Sequence, residues 1–401
     1  MSQLKLSTTR MFDAPSTDTI ENTLITVDDG VITDVSQVTP GSEPHDALHV
    51  PDATAVPGLV DCHVHLPFDA SADPVAAVLA MSIPDATLQA VSNARTLLEH
   101  GVTTVRDVSS PHGISIAVRE AAARGWIDAP TVRACGSHIT ITGGHGCAFG
   151  LEVDSEHEIR KAVRSQIHAG ADLLKIMATG GVYSLKQSPD DVQFTRDELR
   201  AAIGTAHDRR LTTAAHAEGE TGIRFALEAG IDTIEHGNHL TPELAQVMRQ
   251  QGTTLVPTIG AFKSVAASHD LPGPFQSKAK ELIAASDRAI KLAREVGIKV
   301  ALGSDIGTAM HLQWADYPTA SEARYLVEMG GYSPAEALRA GTLHGADVVQ
   351  LGDRKGSLEP GKDADIAVFA GNPAEDIAAL ERPLLVVKGG RVVFRSPNGR
   401  F

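Results

Sequence analysis

The sequence has few cysteines, few aromatic residues and no long apolar run. Only 3 of its 401 residues are cysteine, and 4% are aromatic. Cys62, Cys135 and Cys147 are too few for a disulfide scaffold and lack CxxC spacing. No run of about 18 apolar residues occurs, which argues against a transmembrane helix. The first residues also lack the apolar segment of a signal peptide. These absences favour a cytoplasmic protein.

Basic side chains are also in the minority. The chain has 35 lysines and arginines against 50 acidic residues, which gives a net charge of −15. An acidic surface does not attract nucleic acid or an anionic membrane. We therefore expect neither as the main partner, and expect a small-molecule substrate instead.

The middle of the chain alternates short β-branched runs with helical stretches. The runs are Val56–His63, Thr103–Val108, Thr131–Cys135, Leu173–Met177, Leu211–His216, Ile231–His236, Thr253–Pro257 and Ile298–Gly303. They are continuous apolar stretches, which is typical of parallel strands covered on both faces. Eight strands with interleaved helices predict an α/β fold, a (β/α)8 TIM barrel, and leave an open doubly wound sheet as the alternative.

Local signals mark where several helices begin and end. Thr195–Glu198 and Ser333–Glu336 have the pattern of capping boxes, the second with proline at the first helical position. Glycines that end periodic apolar stretches predict left-handed caps. They are Gly101, Gly170, Gly230 and Gly297.

Both chain ends have a different pattern from the middle. Residues 1–56 and 347–401 contain short alternating strands with Asp-Gly and Gly-Gly turns. Neither end is long enough to bury a core alone. We expect the two ends to form one small composite β-sandwich domain beside a barrel of residues 57–346.

Histidines and one lysine occupy strand positions that suit metal binding. Side chains alternate along a strand, so His63 and His65 project the same way and can reach one cation. Lys175 lies within the apolar run Leu173–Met177. Burial favours its neutral amine, which can react with CO2 to give a carbamate that bridges two cations. The alternative is a lysine paired with a buried carboxylate.

Three more ligand-type residues end predicted strands. His216, His236 and Asp305 end the fifth, sixth and eighth runs. Because the carboxyl ends of barrel strands meet at one rim, these side chains should converge with His63, His65 and Lys175. The sequence therefore predicts a metal site there.

The motifs around these residues resemble the amidohydrolase superfamily of metallohydrolases. They are PGLVDCHVH at 57–65, the lysine run, TAAHAEG, DTIEHG, LGSD and GSLEPGKDADIAVF at 356–369. The glycine-rich segments Thr142–Gly146 and Thr179–Val182 resemble the branch that contains prolidase-like dipeptidases, ochratoxinase-type amidases and relatives of imidazolonepropionase.

This resemblance implies a binuclear metal centre and a mechanism. His63, His65 and Asp305 would hold the more buried cation, His216 and His236 the more exposed one, and carboxylated Lys175 would bridge them. Zinc is the expected ion, with manganese, cobalt and iron as alternatives. A bridging hydroxide would attack an amide, dipeptide, carbamate or cyclic amide, with Asp305 as general acid and base. The resemblance also implies a homo-oligomer.

Substrate-binding positions follow from the same resemblance. His145 would polarise the scissile carbonyl. Dipeptidases of this branch often carry a tyrosine where this chain has Glu218, and a carboxylate there disfavours a substrate with a free carboxylate. Tyr183 either supplies a phenol to the pocket or packs as an ordinary aromatic.

Several alternatives stay open at this point. A mononuclear deaminase or imidazolone-type hydrolase is favoured by Glu218 and opposed by Lys175, and a non-catalytic scaffold homologue would have lost its ligands. Arg106 and Asp107 are interpreted as a structural ion pair. Residues 260–276 are interpreted as a long loop that could cover the site.

Overall fold

The computed structural model describes residues 3–69, 71, 73–182, 186–306, 317–397 and 399. The strands are β1 (Gln3–Asp13), β2 (Asp18–Asp28), β3 (Val31–Gln37), β4 (Leu48–Pro57), β5 (Leu59–Val64), β6 (Val102–Asp107), β7 (Thr131–Ala134), β8 (Ile139–Thr140), β9 (Leu151–Glu152), β10 (Leu173–Met177), β11 (Thr212–Ala217), β12 (Thr233–His236), β13 (Thr254–Val256), β14 (Ile366–Ala370), β15 (Pro383–Lys388) and β16 (Arg391–Arg395).

The helices lie mainly between the strands of the middle region. They are α1 (Pro74–Ala80), α2 (Ile83–Glu99), α3 (Ile114–Ala123), α4 (Glu156–Ala169), α5 (Arg196–His207), α6 (Glu220–Glu228), α7 (Pro242–Gln251), α8 (Ile259–Ala267), α9 (Gly273–Val296), α10 (Pro318–Glu328), α11 (Pro334–Arg339) and α12 (Gly345–Val348). A π-helical turn, Ala340–His344, joins the last two. Among these helices, none is long and apolar enough to cross a membrane.

Parallel strands close into the predicted TIM barrel. β5, β6 and β7 pair side by side, and β10, β11, β12 and β13 form a second parallel set. A backbone hydrogen bond of 2.8 Å from Asp172 N to Ala134 O joins the two sets. The barrel closes where Leu255 N donates to Lys299 O and Asp305 N donates to His63 O. The alternative of an open sheet is therefore wrong.

The eighth predicted strand is less regular than the pattern indicated. Residues 298–306 are extended and make only single bridges, from Val300 to Leu255 and from Ile306 to Val64. Gly303 lies so close to β5 that an added Cβ would be 2.7 Å from the Cβ of His63. At Asp305 the backbone then turns into the left-handed region, with φ of +52°. This turn interrupts a regular strand ladder.

The predicted helix boundary signals are present. Thr195 and Ser333 each form a reciprocal capping box with the glutamate three residues later. All four glycines expected in left-handed caps have positive φ; they are Gly101, Gly170, Gly230 and Gly297. Local side-chain chemistry was sufficient to place these ends, because a cap acts within a few residues of the chain.

The chain ends combine into one separate, mostly antiparallel domain, as expected. Its seven strands run in the order β16-β15-β14-β4-β1-β2-β3, and only β1 and β4 pair in parallel. A second hydrophobic cluster draws on strands from both ends of the chain, including Leu6, Ile25, Ile366 and Leu385. The two ends thus complete one core that neither could bury alone.

The expectation of a long loop at residues 260–276 is wrong. Most of this stretch is helical, in α8 and the first turn of α9. Phe262 and Val265 on α8 pack against Leu282 of α9. The sequence pattern misled here because glycine and proline, which usually mark loops, lie at the start of α9.

We predict that Phe369→Ala weakens the attachment of the chain-end domain. Phe369 lies on β14 but is buried in the barrel cluster. Removing a large buried aromatic side chain costs about 3–5 kcal/mol, so the free energy of unfolding in urea should fall by that amount. Leu88→Ala is the control, because Leu88 is 67% exposed. Equal effects of the two substitutions would contradict the prediction.

Candidate active site

A cavity of about 640 Å³ opens at the carboxyl ends of the barrel strands. All six sequence-predicted ligand positions line it: His63, His65, Lys175, His216, His236 and Asp305. All six side chains are buried. Two further predicted residues, His145 and Glu218, also line the cavity. Tyr183 lies outside the described residues.

Asp305 lies between two of the histidine donors in this cavity. Oδ1 of Asp305 lies 3.4 Å from Nε2 of His63 and 3.3 Å from Nε2 of His65. Ligand atoms about 2.0–2.1 Å from a tetrahedral zinc ion are separated from one another by about 3.4 Å. The distance from Asp305 to each of these histidines therefore fits a zinc-type cation, and donor atoms of His63, His236 and Asp305 lie within 4.8 Å of one another.

The other ring nitrogen of each of these histidines is already engaged. His63 Nδ1 lies 2.7 Å from Oε2 of Glu235, and His65 Nδ1 lies 2.9 Å from the carbonyl oxygen of Ser109. Both partners accept a hydrogen bond, so each Nδ1 carries the proton. Each Nε2 is left with a lone pair directed at Asp305, which is the tautomer that a metal ligand needs.

His216 and His236 form a second group of donors. His236 Nδ1 pairs with the hydroxyl of Thr258 at 2.6 Å, which leaves Nε2 for a ligand. His216 is oriented the other way, because its Nε2 donates to the carbonyl oxygen of Gly180 at 3.0 Å and leaves Nδ1. The two ring centroids are 4.5 Å apart. Donor atoms of His236 lie within 4.8 Å of donor atoms of His63 and Asp305, and likewise of His216 and Glu218.

Lys175 is buried within β10 beside these groups. Burial lowers the pKa of its ammonium to about 8, although the charges of Glu235 and Asp305 act in the opposite direction. Among the described residues, no carboxylate lies within 4.0 Å of its Nζ. The amine is thus more readily deprotonated than that of an exposed lysine.

Burial sets the charge state of the other ligand-type groups. It lowers the pKa of His63 and His216 far below the ordinary value and that of His236 to about 3. At neutral pH these imidazoles are uncharged and suited to bind a cation. Burial raises the pKa of Asp305, but the neighbouring rings of His63 and His65 lower it more, so the net shift is downward. Asp305 is therefore a carboxylate.

Glu235 and Arg106 support the site from inside the barrel, and sequence reasoning missed Glu235. Arg106 Nη2 donates to Glu235 Oε1 at 2.7 Å, while the other oxygen of Glu235 accepts from His63. The interpretation that Arg106 pairs with Asp107 is wrong, because neighbours on a strand point to opposite faces. Asp107 instead accepts from the Ser110 hydroxyl. The sequence offered one sign of this pair, because Arg106 and Glu235 are charged residues within apolar strands.

His145 lies against the second donor group. Its ring stacks on that of His216, with centroids 4.3 Å apart. Burial lowers the pKa of His145 to about 4, so the ring is neutral above that pH. The Thr179–Val182 motif allows this approach, since a Cβ on Gly181 would lie 2.5 Å from Cε1 of His145.

Apolar side chains form much of the remaining wall. They include Phe68, Phe149, Val182, Phe262, Leu271, Pro272 and Phe275. Four of them, Phe262, Leu271, Pro272 and Phe275, belong to residues 260–276, the stretch that was expected to cover the site. Fold and site together define a TIM-barrel protein with histidine, lysine and carboxylate donors at one rim.

The chain belongs to the amidohydrolase family, whose sequence model matches residues 54–393. Ochratoxinase of Aspergillus niger is 30% identical over 376 residues, covering 86% of this chain and 76% of that protein. Imidazolonepropionase of Paracidovorax citrulli is 25% identical over 378 residues, covering 86% and 83%. The crystal structure of an Xaa-Pro dipeptidase with bound methionine has a TM-score of 0.88 and 30% identity, covering 98% and 100%. The expected resemblance is confirmed, and the chain is a hydrolase of carbon–nitrogen bonds.

We predict that Glu235→Gln weakens zinc binding about 10–100-fold, because partners that orient a ligating histidine contribute that much to affinity. The amide would no longer supply the negative charge that faces His63. Zinc competition with a chromogenic chelator measures the effect. Glu243→Gln is the control, since Glu243 is exposed and pairs with Arg224. Unchanged affinity in Glu235→Gln would contradict the role given to Glu235.

Proposed function

We propose that this chain is a binuclear metal-dependent hydrolase that cleaves an amide-type C–N bond. The observation that supports this most directly is the presence of two overlapping donor groups in one cavity, His63–His236–Asp305 and His216–Glu218–His236. Donors from both groups, with Lys175 beside them, suit two cations better than one. The likeness to an Xaa-Pro dipeptidase supports the peptide-like bond.

In this proposal each donor has a separate task. His63, His65 and Asp305 would hold the more buried cation, His216 and His236 would hold the more exposed one, and Lys175 would serve both as a carbamate. Zinc is the proposed ion. When bound, such a pair of cations would lower the pKa of a water molecule so that it is deprotonated near neutral pH. The cations would also polarise the scissile carbonyl.

Asp305 is the proposed general acid and base. Its side chain lies beside the proposed metal ligands His63 and His65, where its carboxylate can take the proton of the attacking water. It then passes this proton to the nitrogen that leaves. His145 is neutral above about pH 4, so one of its ring N–H groups can donate to the carbonyl oxygen as negative charge develops there. The aromatic walls exclude competing water.

The second candidate is a mononuclear deaminase or imidazolone-type hydrolase. The buried carboxyl group of Glu218 beside His216 favours it. Lys175, which has no task in a one-metal site, opposes it. Metal content separates the two: two ions per chain after loading support the binuclear proposal, and one ion supports the alternative.

We predict that Lys175→Ala loses one metal equivalent and most of the hydrolytic activity. The bridging ligand would be removed from both cations. Metal content is measured after zinc or manganese loading, and activity on a panel of N-acyl amino acids, dipeptides, aryl amides, carbamates and lactams. Lys161→Ala is the control, because Lys161 is exposed on α4. Full metal loading of Lys175→Ala would remove the bridging role.

We predict that His145→Asn lowers kcat about 10²–10³-fold, the usual effect of losing one donor to a developing oxyanion. Metal content should stay at the wild-type value, because His145 is not a proposed ligand. The exposed His157 provides the matched control, His157→Asn. A loss of metal together with activity would instead assign His145 to the metal site.

A further inference from the structure

Helix α8 begins beside the proposed metal site, and the residue before it is engaged by that site. Thr258 precedes the first helical residue, Ile259, and its backbone is in the left-handed region with φ of +48°. A threonine at this position commonly accepts a hydrogen bond from an N–H group of the first helical turn. Here the Thr258 hydroxyl instead pairs with Nδ1 of His236 at 2.6 Å. The first N–H groups of α8 therefore need another acceptor.

A glutamate of a distant helix supplies that acceptor. Glu322 lies on α10, and its side chain is 0% exposed. Its Oε2 accepts from Ile259 N at 3.0 Å, and its Oε1 accepts from Gly260 N. An acidic group at this end of a helix satisfies N–H groups and complements the helix dipole. Both oxygens of a buried carboxyl group are thus engaged by the first turn of α8.

Two parts of the cavity depend on where α8 begins. The Thr258 hydroxyl is the partner of Nδ1 of His236, and a ligating histidine depends on that partner for its orientation. Phe262, one turn into α8, lines the cavity and meets the ring of His236 in a T-shaped contact, with centroids 5.6 Å apart. A displacement of the first turn of α8 would therefore move the partner of a proposed ligand and an aromatic wall residue together.

The same face of α10 reaches the other donor group by a separate route. Thr319, three residues before Glu322, donates from its hydroxyl to Oδ2 of Asp61 at 2.7 Å. Oδ1 of Asp61 accepts from the main-chain N–H of His63 at 3.2 Å. The two routes use different side chains of α10. Loss of the Glu322 carboxyl group should therefore disturb the His236 side of the site and leave the His63 side in place.

From these contacts, and resting on the proposed function, we propose that Glu322 is a positioning residue for the site of the more exposed cation. By capping α8 it keeps Thr258 in its left-handed conformation, and Thr258 in turn orients the ring of His236. The same cap keeps Phe262 on the cavity wall. This arrangement needs two acceptor oxygens, which a carboxyl group has and the side-chain amide of glutamine lacks.

The test titrates the zinc-loaded protein with a chromogenic chelator, so that the affinities of the two ions are resolved. We expect Glu322→Gln to weaken one of the two affinities at least about tenfold, as is usual when the support of a ligating histidine is lost, and to leave the other unchanged. Glu328→Gln is the matched control, since Glu328 lies on the same helix and is exposed. Phe369→Ala controls for destabilisation alone and should keep both affinities.

A double-mutant cycle tests whether Glu322 acts through Thr258. Thr258→Val removes the partner of His236 and should weaken the same affinity as Glu322→Gln. The double variant should bind no more weakly than the weaker single variant, because the two residues belong to one chain of contacts. Effects that multiply, or an unchanged affinity in Glu322→Gln, would overturn the proposal. Glu322→Asp, whose shorter side chain cannot reach both N–H groups from the same backbone, carries the same expectation if Glu322→Gln does not fold.

Hydrogen exchange separates this proposal from the proposed function, because it depends on neither metal nor turnover. The amides of α8 should exchange about fivefold faster in Glu322→Gln than in the wild-type protein, since a lost cap favours local opening, and at the wild-type rate in Glu328→Gln. An unchanged rate in Glu322→Gln would overturn the capping role. If the wild-type protein binds only one ion, the binuclear proposal fails, and the exchange rates together with the cycle on that single affinity still decide the role of Glu322.

Discussion

The carboxylate of Glu235 lies inside the barrel between a guanidinium and an imidazole, and the geometry of the cavity depends on this contact. Arg106 offsets the charge of Glu235, and Glu235 in turn fixes the ring of His63 with Nε2 directed at Asp305. Taking two unpaired charges out of water would be prohibitive, but a pair with additional hydrogen bonds is tolerated. The interior of the barrel thus holds the rim in position.

Backbone strain is concentrated at the same rim. His236, Thr258 and Asp305 have φ of +70°, +48° and +52°, a region that residues other than glycine rarely adopt. His236 and Asp305 line the cavity, and the hydroxyl of Thr258 pairs with Nδ1 of His236. Such strain persists only when the surrounding structure enforces it, and it is common at functional sites. Here the barrel hydrogen bonds provide that enforcement.

The apolar wall of the cavity and the reacting groups come from different parts of the chain. The histidines and Asp305 are attached to strands, whereas the apolar wall comes largely from α8, α9 and the segment around Phe149. Glu218 lies between these two parts, two residues beyond His216. A change in the wall can therefore alter which substrate enters without displacing the groups proposed to cleave it.

The class of fold, the helix ends and the residues that gather at the rim could all be predicted from the sequence. Strand periodicity and capping chemistry act over a few residues, and a parallel barrel brings every strand end to one side. Tertiary structure alone decided the partner of Arg106, the support from Glu235, the helical form of 260–276 and the capping of α8 by Glu322. These depend on contacts between residues far apart in the chain, such as Arg106 with Glu235 and Phe262 with Leu282. The spacing of residues within one strand or helix does not predict which distant side chain they will contact.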